Sequence, residues 1–104
     1  MINKKYELYV GLFDEDSKKQ EIDTISAYKI LQKEAMERFD GATLTSSTGI
    51  YKHEDGTIVV EPTLKIELLF CSKEAVKDYV NFIKKVLNQE SVAVQVSEID
   101  SDLW

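Results

Sequence analysis

Apolar residues at every second position open the chain. In KYELYVGLF, residues 5–13, Tyr6, Leu8, Val10 and Leu12 fall on one side and Glu7, Tyr9, Gly11 and Phe13 on the other. That period of two predicts a half-buried strand. The polar run DEDSKKQEID has no periodicity, so it is read as a loop that ends where Asp23 or Thr24 caps a helix. From Thr24 to Phe39, residues Ala27, Tyr28, Leu31, Ala35 and Phe39 recur at steps of three or four. This predicts an amphipathic helix, with Gly41 placed just past its end as a left-handed stop. A second helix is predicted over SKEAVKDYVNFIKKVLNQ, with Ser72 as N-cap, Glu74 in the first turn and Val76, Tyr79, Val80, Ile83 and Leu87 along one stripe. SVAVQVSEID alternates Val92, Val94 and Val96 against Ala93, Gln95 and Ser97, and predicts a last strand.

Between the helices lie two β-rich segments, ATLTSSTGIYKH and TIVVEPTLKIELLF, joined by Glu54-Asp55-Gly56. The acidic turn, with a glycine free to take positive φ, predicts a hairpin. Pro62 has no N–H for a ladder, so a break or bulge is expected there, with a matching irregularity at Gly49. Beyond it Leu64, Ile66, Leu68 and Phe70 are expected to point inward.

The predicted order, strand–helix–strand–strand–helix–strand, is the split βαβ arrangement called ferredoxin-like: an antiparallel sheet with two helices on one face and an extended central hairpin. Tyr6/Leu8/Val10/Leu12, Leu64/Ile66/Leu68/Phe70 and Val92/Val94/Val96 supply the face that receives the helix stripes. Residues 1–104 are read as one domain, with 98–104 as an acidic tail in which Trp104 is either a docked anchor or a loose end.

Composition narrows the function classes. The 104 residues are 43% hydrophobic and 31% charged, enough for one core without metal or disulfides. The single cysteine, Cys71, cannot form an internal bridge, and no Cys/His spacing points to zinc. The first apolar run is too short for a leader core or a membrane span, so a cytoplasmic protein is expected. A net charge of −6, with Arg38 as the only arginine among 13 basic residues, argues against direct nucleic-acid binding.

Val10-Gly11-Leu12, then Gly41, Thr43 and Leu44, then Gly49 and Tyr51, then Asp55-Gly56, then Glu61 follow one another in a recognisable series. The series resembles a family of small bacterial proteins known only as a domain of unknown function. Its members share a Gly-x-Thr, Gly-x-(Trp or Tyr), Asp-Gly, Glu hairpin, and here Tyr51 stands where Trp is usual. The likeness spans roughly residues 6–70 and implies a fold without implying a chemistry.

Candidate chemistry is sparse. His53 sits at the hairpin tip beside Glu54 and Asp55, where a solvated turn explains it better than a general base does. Glu61, in an otherwise apolar strand, is expected to meet Arg38 or a lysine as a structural ion pair. Cys71 precedes a helix N-terminus, where thiols gain reactivity, yet it has no adjacent histidine and reads as a small buried hydrophobe. Asp14-Glu15-Asp16 reads as a solvated loop, since consecutive side chains diverge and no ligand loop follows. No phosphate loop, nucleophile elbow or dinucleotide fingerprint occurs, and no cofactor or metal is expected.

Three readings follow. The preferred one is a non-catalytic interaction module that homodimerises through the outer sheet face, where Tyr9, Phe13 and Leu69 are large for a solvated surface among Glu7, Lys65, Glu67, Gln95 and Ser97. The second is a small-molecule-binding protein or cofactor-free enzyme, with Tyr28, Arg38, Tyr51 and Glu61 at the mouth of a gap between sheet and helices. The third is an acidic phage-type inhibitor mimicking nucleic acid, which requires Asp14, Glu15, Asp16, Glu54, Asp55, Glu98, Asp100 and Asp102 to gather on one surface.

Overall fold

A computed structural model describes residues 2–104. Its elements run β1 (Ile2–Gly11), α1 (Thr24–Arg38), β2 (Thr43–Lys52), β3 (Ile58–Leu68), α2 (Lys73–Val86) and β4 (Ala93–Asp100). The strands form one antiparallel sheet in the order β2-β3-β1-β4. With both helices packed on one face, this is the expected ferredoxin-like βαββαβ fold. The alternation of β1 delivers Tyr6, Leu8 and Val10 to the helices, and β3 delivers Leu64, Ile66 and Leu68 opposite them through the pairs Tyr6↔Leu68, Leu8↔Ile66 and Val10↔Leu64.

Each helix begins on the cap its sequence supplies. Asp23 accepts from the Ser26 N–H at 3.0 Å, and Ser72 accepts from the Ala75 N–H at 3.1 Å, so orphan first-turn donors are satisfied. α1 buries Ala27, Leu31 and Ala35, and α2 buries Val76, Tyr79 and Ile83. The helices are tied together at the Tyr79 hydroxyl, which donates to the Leu31 carbonyl at 2.7 Å inside the core. Phe39 meets the same Tyr79 ring edge-on, with centroids 5.4 Å apart. Truncating a fully buried side chain such as Leu31 to Ala therefore costs about 2–5 kcal/mol.

Several local expectations are corrected. Gly41 is not left-handed; α1 stops because Phe39 turns extended, with φ −131 and ψ 153. Phe70 leaves the core: it takes φ 56, turns the chain from β3 toward the Ser72 cap and is 46% exposed. Val94 and Val96 are also exposed, because β4 is an edge strand that the α2 stripe covers incompletely. β4 continues to Asp100, so Glu98 and Asp100 are strand residues. Glu61 meets neither Arg38 nor a lysine; its partner is the backbone amide of Phe13.

Pro62 does not break β3, nor does Gly49 interrupt β2, since the register passes through Thr48↔Pro62 and Gly49↔Glu61. In an antiparallel strand the N and C=O of one residue point the same way. The Pro62 carbonyl accepts from the Leu12 N–H at 3.0 Å, so its missing donor faces the point where β1 runs out. Between the turn and Thr63 the hairpin has no third strand and projects as a two-stranded arm, which gives the molecule a long dimension of 45 Å. The arm closes through a His53 N–H bond to the Thr57 carbonyl at 2.8 Å and a Gly56 N–H bond to the His53 carbonyl at 3.0 Å. Gly56 there has φ 91, the conformation its sequence position foretold.

Candidate functional site

At the end of β1 the outer, helix-free face of the sheet becomes a cleft of about 680 Å³. Gly11 pairs with Thr63, two residues along β3 from Glu61, and the Glu61 side chain lies across Gly11. A Cβ on Gly11 would stand 2.5 Å from Glu61 Oε1 and 2.7 Å from Cδ, closer than real side-chain carbons approach. The absent side chain is therefore what lets this carboxylate lie flat on the strand. The Phe13 N–H then donates to Glu61 Oε2 at 3.0 Å and fixes its direction.

The loop after Phe13 is held from the far side. Gln89 Nε2 donates to the Phe13 carbonyl at 2.7 Å, and the Glu15 N–H donates to the Asn88 carbonyl at 3.0 Å. Asn88, with φ 47 just beyond α2, extends Nδ2 to Asp14 Oδ2 at 3.0 Å and to Asp16 Oδ2 at 2.8 Å. Asp14 Oδ1 also accepts from the Asp16 and Ser17 amides. Hydrogen bonds from Ser17 first, and then from Asn88, hold the Asp14 carboxyl below its ordinary pKa. The acidic run is thus an ordered buttress of the cleft.

Aromatic rings form the walls. Tyr9 comes from the end of β1 and Phe13 from just beyond it, while Tyr51 and His53 come from the arm, the Tyr51 and His53 rings edge-on with centroids 5.4 Å apart. Partial burial, and then the charge of Glu61, push the Tyr51 phenol above its ordinary pKa and keep it protonated as a donor. Asp14, Glu15, Glu61 and Glu90 line the cleft against one cationic lining residue, Lys18. Ring faces together with excess carboxylate favour a cationic, flat ligand.

The four residues expected at one mouth are divided. Tyr51 and Glu61 share this cleft, joined by Tyr9 and Phe13 from the expected interface set. Tyr28 lines a different cleft of about 330 Å³, between the end of α1 and the start of β2, and its hydroxyl donates to the Leu44 carbonyl at 3.5 Å. Arg38 is engaged on the helix layer, with Nη2 3.0 Å from Glu34 and the guanidinium 5.5 Å above the Phe82 ring. Leu69 is half-buried just past β3.

The middle of the outer face is polar. Lys5 Nζ lies 2.8 Å from Glu7, Lys65 Nζ lies 3.3 Å from Glu67 and 5.9 Å above the Tyr9 ring, and the Tyr9 hydroxyl donates to Glu7 at 2.7 Å. The Lys5 hydrogen bond, followed by that of Tyr9, draws the Glu7 carboxyl down. Tyr9 is therefore part of an ion-paired layer as well as of the cleft wall.

Other candidates separate from the cleft. Burial pushes the Cys71 thiol above its ordinary pKa, opposite to what a nucleophile needs. Asp14, Glu15 and Asp16 follow the end of β1, whereas Glu98 and Asp100 pair with its beginning, Lys4 and Ile2. The carboxylates a nucleic-acid mimic would gather thus lie at opposite ends of the strand. Among the described residues no group of three or more His, Cys, Asp or Glu is placed to hold a metal ion, and no helix is long and apolar enough to cross a membrane.

Sequence reasoning did not find Gly11, Gln89 or the Phe13 amide as parts of the site. The signal for Gly11 was present, a glycine at the end of an otherwise bulky strand, but its meaning depends on the register that brings Glu61 over it.

No family model matches the chain, and no curated protein matches it. Solved structures do. A phage SAM lyase in complex with S-methyl-5'-thioadenosine aligns with a TM-score of 0.67 at 22% identity, covering 92% of this chain and 81% of the lyase. The periplasmic divalent cation tolerance protein CutA from Archaeoglobus fulgidus aligns with a TM-score of 0.64 at 11% identity, covering 99% and 88%. A GlnK–ATP complex from B. subtilis aligns with a TM-score of 0.61 at 18% identity, covering 94% and 82%. What the chain shares with all three is the ferredoxin-like fold.

Proposed function

We propose that the chain is a small-molecule-binding protein whose Glu61 cleft takes a cationic nucleoside, with a sulfonium compound of the S-adenosylmethionine type as the first candidate. The observation that carries this reading is the Glu61 carboxylate, laid across Gly11 and aimed by the Phe13 amide into a cleft walled by Tyr9, Phe13 and Tyr51. A sulfonium centre would find a counter-charge in Glu61, and a purine ring would find aromatic faces. The phage SAM lyase with bound S-methyl-5'-thioadenosine supports the choice of ligand, since it pairs the same fold with a thioether of that nucleoside. The single free cysteine is in keeping with a cytoplasmic setting.

Titration calorimetry with S-adenosylmethionine tests this. Saturable binding is expected, weakened at least tenfold by Glu61→Gln, with chromatography of the mixture reporting whether S-methyl-5'-thioadenosine is released. Absence of binding at millimolar ligand would overturn it.

A second reading, self-association, is favoured by the arm. Ile50 and Ile58 are 69% and 61% exposed, and Val60, paired with Ile50, is exposed beside them on the helix side of the hairpin. A projecting strip of this kind fits burial against another copy. Sedimentation equilibrium tests it, and a monomer at high micromolar concentration would reject it. The resemblance to the bacterial family of unknown function rests on the Val10-Gly11-Leu12 triplet and the hairpin residues, over roughly residues 6–70.

A further inference from the structure

A third concave surface lies on the helix side of the sheet, between α2 and the edge strand β4. It holds about 290 Å³, close to the lower bound of about 300 Å³ for small-molecule pockets. That is room for an anchor side chain and little more. Tyr6, Val76, Val80, Val94 and Val96 make it apolar, and Lys73 and Lys77, one helical turn apart on α2, add positive charge.

The fitting occupant is an exposed apolar side chain outside the helices and strands and next to a carboxylate. Among the exposed large hydrophobic residues described, only Phe70, Leu103 and Trp104 lie outside helices and strands. Of these, Leu103 and Trp104 follow Asp102 directly. We propose that the segment Asp102-Leu103-Trp104 of one copy docks in the α2/β4 groove of a second copy, with Trp104 as the anchor on the valines and Asp102 toward Lys73 and Lys77.

Reach decides between the chain's own groove and another's. Val96 pairs with Tyr6 and Asp100 with Ile2, so the chain leaves β4 moving away from the groove. Four further residues span at most about 14 Å fully extended, and the return from Asp100 to Val96 already takes about 13 Å of strand. With a reversal included, Trp104 falls short of its own Val94. A second copy has no such limit, and two copies related by a twofold axis can exchange tails reciprocally.

Trp104 is the only tryptophan, so its fluorescence reports on the tail alone. A Lys77→Glu/Val94→Glu variant carries the tail but a spoiled groove; both positions are exposed, and the fold should persist. A Trp104→Ala variant carries the groove but no tryptophan, and excitation at the red edge of absorption leaves its tyrosines dark. The groove-spoiled protein should emit at a solvent-exposed wavelength and shift to shorter wavelength, with reduced acrylamide quenching, on addition of excess Trp104→Ala protein. No shift on mixing overturns the proposal. If the groove-spoiled protein alone already shows shielded emission, the tail has another seat and the proposal is equally overturned. A Lys77→Glu/Val94→Glu/Trp104→Ala protein added in place of the groove donor must leave the emission unchanged; a shift there would assign the contact to another surface.

Discussion

The carboxylate of Glu61 occupies the space that a side chain on Gly11 would fill, with Oε1 2.5 Å from the Cβ position. Because the obstructing atoms are the end of a flexible side chain, Gly11→Ala should fold, with the carboxylate displaced from the Phe13 amide. The expected stability loss is about 1 kcal/mol, the worth of one hydrogen bond. Ligand affinity should fall as far as in Glu61→Gln. Denaturant melts and calorimetry on the same sample check both, and a Gly11→Ala protein with full affinity would detach the carboxylate's position from binding.

Tyr79 is fully buried, and its hydroxyl bonds the Leu31 carbonyl of the other helix. Tyr79→Phe keeps the ring against Phe39 and should cost about 1 kcal/mol, whereas Tyr79→Ala should cost about 3–5 kcal/mol. Urea unfolding of the pair separates the hydroxyl from the packing, and equal losses would show that the hydrogen bond outweighs the ring's contacts.

Charge on the surface sets the pH range. Glu7, Asp14, Asp23 and Asp55 have lowered pKa values, held by the Lys5 hydrogen bond, the Ser17 amide, the Ser26 hydrogen bonds and the Thr57 amide respectively. A lowered folded-state value means that the unfolded chain binds more protons near pH 4. Their contribution is present above the ordinary carboxylate range and is lost as pH falls through the folded values. Lys5 and Lys65 are raised, chiefly by hydrogen bonds to Glu7 and Glu67, so theirs is lost as pH rises beyond the lysine range. Melting temperature should be flat between about pH 5 and 9 and decline on both sides. Asp23→Ala should lower it at pH 7, with the gap to wild type narrowing by pH 3.

Cys71 should be a poor nucleophile despite its place before α2, because burial raises its pKa. At pH 8 iodoacetamide should alkylate the native protein more slowly than the urea-unfolded chain. Equal rates would count against a shielded thiol.

Legibility followed periodicity. β1, both helices and β3 from Leu64 to Leu68 were readable because each carries one uninterrupted apolar period against one face. Val94 and Val96 have the same alternation yet stay exposed, since strand order, which no local pattern encodes, puts β4 at the edge. Phe70 continues the alternation of β3 by residue type, but the short run to Ser72 forces it into a left-handed turn. In the candidate site Glu61 was legible as a carboxylate in an otherwise apolar strand, and Tyr51 as the aromatic of the Gly-x-Tyr hairpin element. Tyr28 and Arg38 were grouped with them on chemistry, while α1 carries both on the helix layer, away from the outer face. The Gly11–Glu61 juxtaposition spans fifty positions and appears only once the register is known.

The arm that carries Tyr51 and His53 is paired on one side only, so its amides lack the flanking strand that protects the rest of β3. Deuterium uptake should therefore spread inward from Gly56 and slow sharply at Thr63. One wall of the cleft then rides on the segment that opens most readily while Tyr9, paired on both sides within the sheet, stays fixed, and the aperture offered to a ligand becomes a thermally fluctuating width.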